Sequence, residues 1–259
     1  MDGTLLDGEG KLPAEFDATM AELKKRGILF APASGRQYYS LVKTFDKYKD
    51  DFVFLAENGT LVKYRGKTLT SSVIDRARGL EILAVTTKLP GVFSVYSGME
   101  DGYILREQAK PEFLQELHKY YTHTKIVDSF EEVPDKLIKL AFFDSAQQAA
   151  VDIYPYVKQY ESSMQVVVSS PCWVDIMNPD INKGVASERI QQIFGFKPEE
   201  CAAFGDYMND TELIESVYYG FAMENAQPPV KEAARFMTES NTESGVIRGI
   251  ERLLRGEIR

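Results

Sequence analysis

Two acidic clusters carry the most chemistry in this chain. Asp2 is followed by Gly3 and Thr4, a pattern that permits a tight turn and sets an oriented hydroxyl beside a carboxylate. Asp-Gly is also an ordinary turn, so this cluster alone decides little. The second cluster closes the run Cys201-Ala202-Ala203-Phe204-Gly205-Asp206-Tyr207-Met208-Asn209-Asp210, in which an apolar strand passes through glycine into polar and acidic residues that open a helix. A carboxylate in a first helical turn gains about 0.3–1 kcal/mol from the helix dipole, which alone accounts for Asp210. Asp206 precedes the helix and gains nothing that way. A hard divalent cation with oxygen ligands is its natural partner, and magnesium suits a site shared with phosphate.

Three further positions could meet an anion. Ala31-Pro32-Ala33-Ser34-Gly35-Arg36 runs from an apolar segment toward a helix. Ser34 there is either a helix cap or, with Gly35 and the backbone N–H groups that follow, a grip on a phosphate oxygen. Glu57-Asn58-Gly59-Thr60 either enters a hairpin or supports the same site. Lys183 stands at a helix start, the end at which the dipole disfavours a cation. An anion between the ammonium and the helix end would explain it.

Composition limits the alternatives. The chain has 259 residues, 44% of them apolar and 27% charged, enough to bury roughly 70–75% of the unfolded surface. A formal charge of −9 disfavours nucleic acid, whose backbone requires clustered Lys and Arg. The two cysteines, Cys172 and Cys201, lie in apolar runs that read as strands. Free thiols and a cytoplasmic setting follow. No stretch approaches the ~20 apolar residues of a membrane span. His118 and His123 read as surface residues, not metal ligands.

The elements that position these residues alternate. Pro13, Phe16, Met20 and Leu23 predict a helix ended by Gly27, followed by a strand over Ile28–Ala31, a helix through Tyr38, Leu41, Val42 and Phe45, and a strand over Phe52–Ala56. A hairpin turns at Arg65-Gly66-Lys67. The middle predicts strands at 92–97, 102–105, 137–143 and 164–169, with helices at 75–88, 111–121 and between the last two strands. After Trp173–Met177 come helix 184–193, strand 201–204, helix 210–217, strand 219–223 and a final helix near 245–254. The reading is α/β: a Rossmann-like parallel-sheet core over 1–74 and 171–259, with an inserted α+β module over 75–170.

In order, Asp-Gly-Thr, then Ser-Gly-Arg, then a lysine before a helix, then Gly-Asp-x-x-Asn-Asp resembles the motif series of the haloacid dehalogenase-like (HAD) hydrolases. The large insert and the Asn-Gly at Asn58 resemble the Cof-type sugar-phosphatase branch. The resemblance implies a magnesium-dependent phosphatase of a small phosphorylated metabolite, acting through an aspartyl-phosphate. It assigns Asp2 as general acid/base and, through its carbonyl, as a metal ligand. Asp206 and Asp210 complete the metal set, Ser34 and Lys183 are catalytic, and Ser34, Gly35, Lys183 and Asn209 contact the phosphoryl group. The insert becomes a cap that selects the leaving group, for which Tyr96, Glu100 and Tyr103 are candidates beside ordinary sheet packing. One position departs from the pattern. Met1 occupies the residue between the two motif aspartates, so the nucleophilic aspartate and the first core strand are expected just upstream of Met1. The 259 residues alone are then expected to be inactive. A phospho-ligand-binding pseudoenzyme and a sugar phosphomutase are the alternatives.

Overall fold

The computed structural model describes residues 1–258. Its helices are α1 (Phe16–Lys25), α2 (Tyr38–Thr44), α3 (Arg76–Thr86), α4 (Pro111–Leu117), α5 (Ala149–Asp152), α6 (Tyr154–Val157), α7 (Lys183–Phe194), α8 (Thr211–Glu215), α9 (Pro228–Ala233) and α10 (Gly245–Leu254). The strands are β1 (Val53–Ala56), β2 (Leu61–Tyr64), β3 (Lys67–Ser71), β4 (Val92–Gly98), β5 (Gly102–Leu105), β6 (Thr124–Val127), β7 (Leu137–Asp144), β8 (Gln165–Ser170), β9 (Trp173–Met177), β10 (Ala202–Gly205), β11 (Tyr219–Met223) and β12 (Phe236–Thr238). The chain forms two compact units, one from Met1–Ala33, Asp51–Val53 and Asn182 onward, the other from Ser34–Asp50 and Phe54–Ile181.

In the first unit β10, β11 and β12 form a parallel sheet, in register from Ala202↔Tyr219 and Phe221↔Phe236. β10 delivers its carboxyl end directly into the Asp206–Asp210 segment, the edge at which open α/β sheets bind ligands. Gly184 brings α7 against α8 so closely that an added Cβ would lie 2.4 Å from the Glu212 carbonyl oxygen. α1 buries Phe16, Met20 and Leu23, and Phe16 meets the rings of Phe30 and Phe52 edge-on at 5.8 and 6.3 Å. Gly27 then adopts φ +70°, a left-handed conformation that ends the helix at little steric cost.

The expected strand over Ile28–Ala31 does not form. The Phe30 carbonyl accepts one bond from the Val53 N–H at 3.1 Å, and Ala33 forms only an isolated bridge. Pro32 supplies no N–H with which to extend a ladder. Sequence reading also passes over β6, β12 and α9. β6 and β12 span only 4 and 3 residues, too short for alternation to register. The single helix expected before β8 is two 4-residue turns and a 3-10 segment, because Pro155 interrupts it.

The second unit holds a six-stranded sheet, ordered β6-β5-β4-β7-β9-β8, and the hairpin sheet β1-β2-β3. All neighbours in the larger sheet run antiparallel except β5 and β6. Trp173–Met177 belongs to it, pairing antiparallel with β7 and with β8, so Ser170 ends one arm of a hairpin. The hairpin between β2 and β3 turns on Arg65 and Gly66, both with positive φ, the conformation a tight two-residue turn requires. Cys172 lies in the turn after β8 and Cys201 just before β10, so both thiols are free, half-buried and outside the strands expected to hold them.

Candidate functional site

Asp2, Gly3 and Thr4 lie in a tight turn in which the Met1 carbonyl accepts from the Leu5 and Leu6 N–H groups at 2.9 and 3.0 Å. Two asparagine amides fasten it: Asn225 Nδ2 donates to the Gly3 carbonyl and Asn241 Nδ2 to the Leu6 carbonyl, both at 2.8 Å. The Asp2 side chain is exposed. Thr4 is buried, and its hydroxyl donates to Asp206 Oδ1. Gly3 makes that contact possible. It has φ +70°, and a Cβ there would lie 2.3 Å from Asp206 Oδ2.

Asp206 therefore has a neutral hydroxyl as its direct side-chain partner. Burial pushes its carboxyl above the usual aspartate range; the Thr4 hydrogen bond counters this and the nearby Asp210 charge adds to it. Asp210 is placed differently. Its Oδ1 receives Lys183 Nζ at 2.5 Å, and its Oδ2 accepts from the Asp206 and Tyr207 N–H groups at 3.2 and 3.4 Å. Burial would raise this carboxyl as well, but the Lys183 ammonium, the terminal ammonium of Met1 and the Asp206 N–H together outweigh it and hold Asp210 below the usual range. Lys183 opens α7 behind Asn182, whose Oδ1 caps the helix by accepting from the Val185 N–H at 2.9 Å. The cation at the positive helix end is thus met by Asp210. Asn209 is half-buried in the same segment.

Among the described residues no three His, Cys, Asp or Glu side chains gather as a metal-binding group. The donors still suit a hard ion. Asp206 is a half-buried carboxylate with, among the described residues, no cation hydrogen-bonded to it, and magnesium commonly takes one or two carboxylates and completes its shell with other oxygens and water. His118 and His123 are exposed, and His123 stacks on Tyr39 at 3.9 Å.

Ser34 and Gly35 belong to the second unit, with Asn58. Ser34 is not the cap of α2, which begins at Tyr38 behind Gln37. Its Oγ instead accepts from the Arg36 N–H at 3.1 Å, closing a small turn and leaving the hydroxyl proton free to donate. Asn58 has φ 57°, donates its N–H to the Ser34 carbonyl at 2.9 Å and its Nδ2 to Asp175 Oδ2 at 3.0 Å. Sequence reasoning missed Lys139 and Asp175, which meet at this loop. Their signal was present: Lys139 is the one basic residue of β7 and Asp175 the one charge of β9, in strands buried at every position, and a buried charge demands a partner. Tyr96 is fully buried and packs edge-on against Tyr103 at 5.8 Å, so both serve the sheet's packing.

A parallel sheet that ends in a half-buried carboxylate beside a lysine–aspartate pair, together with a separate antiparallel module, defines a hydrolase of the HAD class. Residues 1–250 match the sequence profile of the haloacid dehalogenase-like hydrolases, and the chain belongs to that family. It is 28% identical over 263 residues to the 5-amino-6-(5-phospho-D-ribitylamino)uracil phosphatase YbjI of Escherichia coli K12, covering 99% of this chain and 95% of that relative. The HMP-PP phosphatase of Klebsiella pneumoniae is 26% identical over 235 residues, covering 89% of this chain and 84% of the relative. The crystal structure of SMU.1108c from Streptococcus mutans UA159 superposes with a TM-score of 0.88 at 26% identity, covering 98% of this chain and 97% of that one. The Cof-type expectation from sequence agrees with these relatives. No helix among the described residues is long and apolar enough to cross a membrane.

Proposed function

We propose that the protein is a cytoplasmic, magnesium-dependent phosphatase that hydrolyses a small phosphorylated metabolite, a sugar phosphate or a similar compound, through an aspartyl-phosphate. The observation that carries this reading is Asp206: a half-buried carboxylate held by Thr4 at the end of β10, raised by its partial burial and, among the described residues, not hydrogen-bonded to a cation. Magnesium would be held by Asp206 and the Asp2 carbonyl, with Asp210 on its water shell, and would neutralise phosphate charge that otherwise repels an attacking carboxylate.

The attacking group in this reading is an aspartate carboxylate. Its oxygen bonds to phosphorus as the ester oxygen leaves, and Asp2 gives that oxygen a proton. Asp2 then takes a proton from water, whose oxygen displaces the aspartyl group and releases phosphate. Ser34, Gly35, Lys183 and Asn209 hold the phosphoryl oxygens with fixed donors. The module over residues 75–170 acts as a cap that selects the leaving group. The names of the relatives, both phosphatases of phosphorylated small molecules, support this substrate class.

The test adds to the chain an N-terminal apolar strand ending in aspartate and assays a panel of phosphomonoesters with magnesium. Turnover should appear, vanish with chelator and vanish in Asp206→Ala. The unextended chain, and an extension ending in asparagine, should stay at background. Turnover indifferent to both chelator and Asp206→Ala would refute the proposal, and phosphoryl transfer to a second sugar would make the protein a mutase.

A further inference from the structure

Lys139 lies on β7, where all 8 positions are buried. Its Nζ sits 2.5 Å from Glu57 Oε2, 3.7 Å from Asp175 Oδ1 and 2.9 Å from the Gly35 carbonyl oxygen. The three side chains are between 1% and 7% exposed. Burial would push this ammonium down, but the Asp175 and Glu57 carboxylates outweigh it and hold it well above the usual lysine range. A charged donor is therefore fixed against the backbone of the Ser34 loop. Neutralising Glu57 alone would not require a bond to Gly35.

The loop's own hydrogen bonds explain what that contact does. All three carbonyls of Ser34, Gly35 and Arg36 are held, by the Asn58 N–H at 2.9 Å, Lys139 Nζ at 2.9 Å and the Glu57 N–H at 3.0 Å. The Ser34 N–H donates to the Leu55 carbonyl at 3.0 Å and the Arg36 N–H to Ser34 Oγ at 3.1 Å. Among the described residues the Gly35 N–H makes no hydrogen bond. In a trans peptide the C=O and N–H point in opposite directions. Holding the Gly35 carbonyl thus aims the Arg36 N–H at Ser34 Oγ, and holding the Ser34 carbonyl turns the Gly35 N–H the other way.

We propose that Lys139, backed by Glu57 and Asp175, is a positioning residue that sets the Gly35–Arg36 peptide and through it aims the Ser34 hydroxyl at a phosphate oxygen. This rests on the reading of Ser34 as a phosphate contact. It makes phosphate affinity depend on a lysine that touches no ligand.

The experiment measures inorganic phosphate binding by titration calorimetry, and thermal stability, in the parent chain, Ser34→Ala, Lys139→Met and the double variant Lys139→Met/Glu57→Gln. Lys139→Met should lose stability, because Glu57 is left buried and charged, and should bind phosphate about tenfold more weakly. The double variant removes the Lys139 and Glu57 charges and leaves Asp175, to which Asn58 Nδ2 still donates at 3.0 Å; it should regain part of the lost stability while phosphate stays about tenfold weaker, since nothing holds the Gly35 carbonyl. A folded double variant with parental phosphate affinity would reduce Lys139 to an ion-pair partner and overturn the proposal. The Ser34→Ala arm separates the two ideas. Weakened binding in Ser34→Ala beside parental binding in the double variant removes the positioning role alone. A parent that does not bind phosphate, or Ser34→Ala with parental affinity, removes the Ser34 reading and the positioning role with it.

Discussion

Lys183 and Asp210 meet at 2.5 Å with both side chains about 95% buried (5% and 6% exposed). Removing one partner of such a pair leaves an uncompensated buried charge and costs about 3–5 kcal/mol, whereas replacing both is often near neutral. Lys183→Met should therefore lower the melting temperature sharply, and Lys183→Met/Asp210→Asn should recover most of the loss, without recovering turnover in the protein carrying an added N-terminal strand that ends in aspartate.

The pH dependence of that loss has a definite sign. In the parent, Asp210 is depressed, so it contributes stability above its unfolded pKa that is lost only as pH falls through its lower folded value. Without Lys183, burial is the first effect left on Asp210 and raises it. The deficit of Lys183→Met should then be greatest near neutral pH and shrink as pH falls and the carboxyl is protonated. Melting curves of both proteins from about pH 7 to pH 4 check this; a deficit that grows toward acid would contradict it.

Asp206 carries the opposite sign. Burial holds its carboxyl above the usual range, so the ionised form costs stability above the raised pKa, and this cost disappears below the unfolded value. Asp206→Asn keeps an acceptor for the Thr4 hydroxyl and removes the charge. The variant should melt higher than the parent at neutral pH without magnesium, with a gain that fades on acidification. In the protein carrying an added N-terminal strand that ends in aspartate, turnover should be lost. A less stable Asp206→Asn would mean that the carboxylate is already compensated within the fold.

Gly3 tests the same carboxylate from the other side. A Cβ at Gly3 would lie 2.3 Å from Asp206 Oδ2, at φ +70°. The left-handed backbone alone costs a residue with a side chain about 1–2 kcal/mol, and the carboxylate must also move. Gly3→Ala should lower stability by at least about that amount, and it should weaken magnesium dependence more than Gly10→Ala does. Gly10 also has positive φ, but a Cβ there would have no neighbour within 4 Å. Equal effects of the two substitutions would show that backbone strain, not displacement of Asp206, is what matters.

Much of this was legible because spacing and chemistry coincide. Met20 and Leu23 with Gly27 announce α1, Tyr219–Met223 reads directly as a buried strand, and the Gly205–Asp210 run places its acids where β10 ends. The strand at Ile28–Ala31 was not legible, because an apolar run specifies burial and cannot say whether a ladder partner is beside it. The hairpin of β8 and β9 was hidden for a related reason: Trp173–Met177 is apolar enough for a parallel or an antiparallel neighbour, and only pairing with β7 and β8 decides. The Thr4–Asp206 contact joins residues 202 apart and follows from motif order. The Lys139–Gly35 contact, 104 apart, matches no motif and is reached only by asking what a lone lysine does in a buried strand.

Burial also separates two ion pairs that look alike as a list of charges. Lys63 and Glu100 lie 3.6 Å apart, but the Glu100 side chain is 57% exposed. Lys63 has other company, with Nζ over the Tyr38 and Tyr39 rings at 4.6 and 5.6 Å. Solvent screens a pair of this kind to about 0–1 kcal/mol, against the larger cost of opening a dry one. Glu100→Gln should therefore change the melting temperature little, and Asp210→Asn, which strands Lys183, should change it several-fold more. Tyr39 gives a second readout. Burial raises its phenol first, and its hydrogen bond to Glu100 Oε2 at 2.5 Å adds to this. In Glu100→Gln an ultraviolet titration should find the phenol ionising at lower pH than in the parent while stability holds. A large loss of stability in Glu100→Gln would place this pair in the same energetic class as Lys183 and Asp210, and exposure would not be the deciding quantity.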